Sequence, residues 1–284
     1  MKSLPLKNIW PVTLVTVVVL FTGQVFAFND ASKVNLKTDT LIFVTHATTV
    51  YDPNKSTERA LSELLDEAKE SQAAVISLQD PRDNQGTYFL PQNYPLAGIL
   101  ASGGGEFDFH NLKLPVHHVI TTGGFFEMCE FHTVLHLMAD WALHSTGQQA
   151  GNLKITYFAP ALFTQGAYVF RGGIGPSPLP QPDLRSFVDG GTEPLRQALQ
   201  FSPNSSIDYF RYVMSEAIEV LQYHKPAGVD TGKFIENSNV VLSMNGQAFQ
   251  VIKKSNVPNA PTLTFELFTL NAKDDGAAEI LFKN

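Results

Sequence analysis

The stretch His118-Val119-Ile120-Thr121-Thr122-Gly123-Gly124-Phe125-Phe126-Glu127-Met128-Cys129-Glu130-Phe131-His132-Thr133 decides how this chain is read. Residues 116–121 read as a strand, with β-branched Val116, Val119, Ile120 and Thr121 around His117-His118. Thr122-Gly123-Gly124 ends that strand in a turn, and a long helix is expected from about Glu127 to Leu143. Cys129 then falls in the first helical turn. A thiol there meets unpaired N–H groups and the positive end of the helix dipole, which stabilise the thiolate. The same N–H groups could hold an oxyanion. Glu127 and Glu130 act the other way, because nearby negative charge raises a thiol's pKa.

Working outward, strands are expected at residues 40–44, 73–78, 96–101 and 153–158. Between the first two, Ser56 or Thr57 can cap a helix running to about Glu70, with Leu61, Leu64, Leu65 and Ala68 as its apolar stripe. Strand, helix and strand repeating in this way predict an α/β domain with a mostly parallel sheet and flanking helices. Residues 171–182 hold so many glycines and prolines that they read as a loop, lid or linker. A helix is expected through about Tyr223. Beyond it, Asn245-Gly246 between two apolar runs signals a hairpin. Residues 262–270 and 277–282 read as two more strands. The expected organisation is therefore an α/β domain over 28–229, and a β-rich C-terminal extension over 230–284 built as an antiparallel meander.

Residues 1–27 read as a secretory signal peptide: Lys2 and Lys7, an apolar run from Ile9 to Phe21, then Val25-Phe26-Ala27 before the cut. The run is shorter than the roughly 20 residues that span a bilayer. The expected protein is exported, periplasmic or secreted, without stable membrane association once the signal is removed. The chain has 284 residues, a net charge of −7 and 1 cysteine. The acidic balance gives no footprint for nucleic acid, and one cysteine excludes an internal disulfide framework.

Thr122-Gly123, five residues, Cys129, three residues and Thr133 resemble the strand–turn–helix signature of isochorismatase-like cysteine hydrolases. The order of strands and helices over roughly residues 38–165 is similar too. The resemblance implies an isochorismatase-like fold, a cysteine nucleophile and a small amide or acyl-type substrate. It also implies a general-base aspartate on the first strand and a lysine on the strand before the cysteine turn. Here Thr45-His46 stands where that aspartate is expected, and residues 96–107 contain no lysine. Asp80 fits the first metal ligand of nicotinamidase-like members, but Arg82 falls where a histidine is expected.

The candidate catalytic pair is thus Cys129 with His46 as a replacement base. Gly123, Gly124, Phe125, Glu127 and Thr133 are the candidate oxyanion or substrate-binding residues. No cofactor is expected. His132 and His136 share a helical face with Cys129 and are weak candidates for zinc. His117-His118 reads as a surface or packing pair. Two functions follow: an exported cysteine hydrolase with an altered site, or an inactive relative that binds a ligand or a protein. The expected partner is a small molecule, and a homo-oligomer is left open.

Overall fold

The computed structural model describes residues 34, 38–82, 87–90, 94–103, 116–144, 151–164, 193–200, 203–223 and 230–282. The expected signal peptide and the 171–182 loop lie outside them.

Five parallel strands come first: β1 (Thr40–Thr45), β2 (Ala74–Gln79), β3 (Gly98–Ala101), β4 (His118–Thr122) and β5 (Leu153–Phe158). Two short antiparallel strands, β6 (Phe163–Thr164) and β7 (Glu193–Pro194), follow. The C-terminal part supplies β8 (Asn239–Met244), β9 (Gln247–Lys253) and β10 (Thr262–Phe268). The main sheet has eight strands in the order β3-β2-β1-β4-β5-β10-β8-β9. The α/β class with a mostly parallel sheet is as the sequence predicts.

The six helices among the described residues are α1 (Glu58–Glu70), α2 (Cys129–His144), α3 (Leu195–Gln200), α4 (Pro203–Tyr223), α5 (Thr231–Glu236) and α6 (Ala277–Phe282). Leu61, Leu64, Leu65 and Ala68 of α1 pack with Leu281 of α6 against Ile42, Val44, Ile120, Phe158 and Phe268. On the opposite face, residues of α2, α4 and α5 pack against Leu41, Phe43, Val119, Tyr157, Phe265 and Leu242. Helices thus cover both faces of the sheet, and the inner strands β1 and β4 are buried on both sides, whereas the edge strand β9 is exposed or half-buried throughout. The first turn of α1 is held by Asp52, whose carboxylate accepts from Thr57 N at 2.8 Å, Thr57 Oγ1 at 3.0 Å and Ser56 Oγ at 2.9 Å. The expected caps are donors to a cap set earlier in the chain.

Two expectations about the C-terminus are corrected. The three strands do not form an antiparallel meander. Only β8 and β9 are antiparallel, joined at Asn245-Gly246, where both residues have positive φ (47° and 81°). That pair of positive angles is what a two-residue hairpin turn requires. β10 instead runs parallel to both β5 and β8 and lies between them. Phe265, Glu266, Leu267 and Phe268 are all buried, so its side chains are covered on both faces, as a central parallel strand demands. Residues 277–282, read as a strand, form α6. Ala277 and Leu281 sit one helical turn apart and are both fully buried against the sheet.

A polar strip crosses the sheet on the α1–α6 face. Thr156 Oγ1 donates to Glu266 Oε2 at 2.9 Å, and its oxygen lies 2.9 Å from His118 Nε2. The threonine proton is committed to the carboxylate, so His118 must donate through Nε2–H. Its Nδ1 is buried with no partner among the described residues. Lys154 closes the strip with an ion pair to Glu266 at 2.9 Å. Burial, reinforced by the charge of Lys154, pushes the His118 pKa from 6.5 down to about 3.

The unfolded chain therefore takes up the His118 proton more readily than the folded protein. The stabilisation is intact above about pH 6.5 and is lost as pH falls toward 3, by about 1.4 kcal/mol per pH unit. Urea unfolding at pH 5 is expected to give about 2 kcal/mol less stability than at pH 7 from this residue alone. His118→Gln should flatten that dependence. Equal acid slopes in the two proteins would exclude His118 as its source.

Candidate functional site

The strand order reverses between β1 and β4: the chain moves outward from β1 to β2 and β3, then returns to β4 and β5. Open α/β sheets bind ligands in the crevice outside the carboxyl ends of the strands at such a point. Here those ends carry Thr45-His46 after β1 and Thr122-Gly123-Gly124 after β4. Both segments that the sequence singles out therefore flank the same crevice.

Cys129 is the first residue of α2, which places its thiol at the positive end of the helix dipole. It is 7% exposed. The turn before it is built tightly. Gly123 has φ +99°, and a Cβ there would lie 2.8 Å from Thr45 O. A Cβ on Gly124 would meet Cys129 Cβ at 3.0 Å, Glu130 Oε1 at 3.2 Å and Thr45 O at 3.3 Å. The two glycines thus let the turn press against the end of β1.

Most amides of this turn are engaged within the protein. Gly123 N donates to Ala161 O at 2.8 Å, Phe126 N to Phe163 O at 2.8 Å and Met128 N to Phe125 O at 3.1 Å. Gly124 N donates to a side chain, Glu130 Oε1, at 3.3 Å. The other candidate binding residues also point inward. Thr133 Oγ1 donates to Cys129 O at 2.9 Å and lies 3.5 Å from Thr45 Oγ1. Glu127 is 1% exposed and accepts hydrogen bonds from Thr164 Oγ1 and from Tyr209 OH of α4. It ties the turn to β6 and α4.

His46 is 1% exposed and has φ +49°, a left-handed conformation that costs a non-glycine residue about 1 kcal/mol or more. Its backbone N–H donates to Leu78 O at 2.9 Å, and its ring Nε2 lies 3.3 Å from Ser102 O. A carbonyl oxygen only accepts, so Nε2 carries the hydrogen and Nδ1 is the basic nitrogen of the neutral ring. Tyr51 bridges the two sides of the crevice: its ring stacks on His46 at 6.2 Å and meets Phe125 edge-on at 5.7 Å. Phe125 in turn lies 6.0 Å from Phe163.

At the end of β2, Arg82 grips Asp80 through Nε at 2.9 Å and 3.0 Å, through Nη2 at 2.5 Å and through its backbone N at 2.8 Å. These Arg82 hydrogen bonds hold the Asp80 carboxyl below the usual range against the opposing effect of its burial. An organic cation therefore sits on the carboxylate that the resemblance would give to a metal. His132 and His136 are half-buried on α2. Among the described residues, no three or more His, Cys, Asp or Glu side chains gather as a metal-binding group.

Of the two glutamates beside the thiol, Glu130 has its expected electrostatic effect weakened by burial. It is fully buried, and burial pushes its carboxyl well above the ordinary value, against hydrogen bonds from Thr45 and Gly124 that lower it. A neutral acid does not raise the pKa of a neighbouring thiol as an anion would. Sequence reasoning missed Tyr51, Ser102 and Tyr157. Tyr51 precedes the Asp52-Pro53 turn, a pattern that signals a loop but not the direction of a ring. Among the described residues, no helix is long and apolar enough to cross a membrane. Neither protein-family models nor curated proteins give a match to this chain.

Proposed function

We propose that the crevice between the ends of β1 and β4 is the site of a cysteine hydrolase acting on a small amide or acyl-type substrate. The observation that carries this reading is the position of Cys129, first residue of α2 at the topological switch point, opposite His46 at the end of β1. In this reading His46 Nδ1 takes the thiol proton and the sulfur bonds to the acyl carbon. The leaving group departs with a proton, and water then cleaves the thioester. The isochorismatase-like resemblance supports the same assignment. Export to a periplasm or medium belongs to this proposal through the expected signal peptide.

A panel of small amides and thioesters tests it. Turnover is expected to fall by roughly 10³-fold or more in Cys129→Ala. Alkylation of the wild-type thiol should follow a pKa below the 8.5 of a free cysteine. A folded protein whose thiol resists alkylation, or turnover unchanged by Cys129→Ala, overturns the reading.

A second reading is favoured by one observation: the amides of Gly123, Phe126 and Met128 are already bonded to backbone carbonyls. A turn closed in this way suits a crevice that binds a small ligand without transforming it. In that case Cys129→Ala leaves ligand affinity unchanged.

A further inference from the structure

Three buried polar groups beneath the first turn of α2 have hydrogen-bonding capacity left to satisfy. Glu130, Thr121 and Tyr157 are each 0% exposed. Glu130 Oε1 accepts from Gly124 N at 3.3 Å, and the Thr45 side chain lies near enough to the carboxyl to favour its charged form. Glu130 Oε2, Thr121 Oγ1 and Tyr157 OH have no partner among the described residues. Thr121 and Tyr157 face each other in the β4–β5 register, and Phe43 of β1 stands beside Thr121 in the same row. Phe43 and Tyr157 belong to the core on the α2 side, so the row lies under α2. Tyr157 is near enough to Glu130 to respond to a charge placed there.

None of the described ion pairs involves Glu130. A buried anion without a countercharge costs several kcal/mol, and protonation removes that cost. Oε1 already accepts the Gly124 N–H and Oε2 accepts nothing among the described residues, so the proton belongs on Oε2. The layer then holds one carboxyl O–H and two hydroxyls, each short of a partner. Native proteins satisfy such groups with internal water held by two to four polar atoms.

We propose that Glu130, Thr121 and Tyr157 hold internal water beneath α2, in a carboxyl–hydroxyl–water relay that fixes the Gly124 N–H and positions the turn carrying Cys129. The relay concerns the site of the proposed hydrolase and rests on that reading only for its catalytic consequence. Glu130 acts through Gly124 and is a positioning residue.

Two variants test it. The infrared difference spectrum between wild type and Glu130→Gln at neutral pH is expected to contain the C=O stretch of one protonated carboxyl group. Glutamine keeps the acceptor for Gly124, so exchange of the Gly124 amide should stay within about 3-fold of wild type. Glu130→Val removes that acceptor and should speed Gly124 exchange by about 10-fold or more, with amides of β8 and β10 unchanged. Absence of the carboxyl band overturns the proposal, as does Gly124 exchange that is the same in wild type and Glu130→Val. If Glu130→Val does not fold, the band in the glutamine variant still decides. These readouts need no turnover: a protein that hydrolyses nothing but passes both tests keeps the relay and loses the hydrolase.

Discussion

Glu266→Ala is expected to lower the unfolding free energy by about 3–5 kcal/mol, close to the whole stability of many domains. Glu266 is fully buried in the central strand β10. Its Oε2 receives Lys154 Nζ and Thr156 Oγ1, both at 2.9 Å, and its Oε1 receives Gly246 N at 2.6 Å. Alanine takes the acceptor from all three at once. Lys154 keeps a side chain 21% exposed and can rehydrate in part. Thr156 is fully buried and cannot, and an unmet buried donor costs about 1–3 kcal/mol. His118 loses support as well, because its Nε2–H bond depends on the orientation of Thr156. Glu266→Gln, which keeps the volume and some acceptors, should cost clearly less. Urea unfolding at pH 7 checks both. A loss below about 1 kcal/mol for alanine would mean that the strip is decorative rather than structural.

The second large effect concerns the turn. Gly123→Ala is expected to cost about 3 kcal/mol, from a backbone angle that alanine resists and a contact it cannot make. The φ of +99° sets the first part, and the 2.8 Å approach to Thr45 O sets the second. That oxygen belongs to the end of a central strand, so it has little room to yield. Gly276 supplies the control: its φ is +72°, but a Cβ there meets nothing within 4 Å. Gly276→Ala should therefore carry the conformational cost alone, about 1 kcal/mol. The difference between the two unfolding free energies isolates the clash. Gly123→Ala should also slow alkylation of Cys129, because the same turn positions it. Equal costs at the two glycines would show that the turn has space to relax.

These sites also show what the sequence could and could not reveal. β1, β2, β4 and β5 were legible because each is a short apolar run bounded by turn residues, a local signal. The stripe of α1 and the Asn245-Gly246 hairpin were legible for the same reason. The place of β10 was not, because it depends on pairing with β5, 110 residues away in the chain at Thr156 and Glu266. Nothing local distinguishes a strand that will be covered on both faces from one added at an edge. α6 escaped because its six residues are too few to establish a helical period. In the crevice, the thiol at the helix start and His46 at the strand end could be located from motif and spacing. The surroundings of Glu130 could not: the sheet register brings Thr45 and Tyr157 near it. The pair read as surface or packing divides into an exposed His117 and a fully buried His118, and the strip of three strands that holds His118 had no local signal.

The position of β10 also governs when this protein can fold. On a ribosome the chain emerges from its N-terminus, and domains close when their last essential element is out. The sheet's inner seam is completed by residues 262–268, the last strand in chain order among the described residues. Until then β5 is an unpaired edge, and the β8–β9 hairpin has no strand to join, a form of exposure that invites association with other chains. Closure also waits on contacts of long sequence separation, which form slowly. A nascent or truncated chain ending before residue 262 is thus an open sheet in two pieces. Only a chain that includes β10 can seal it.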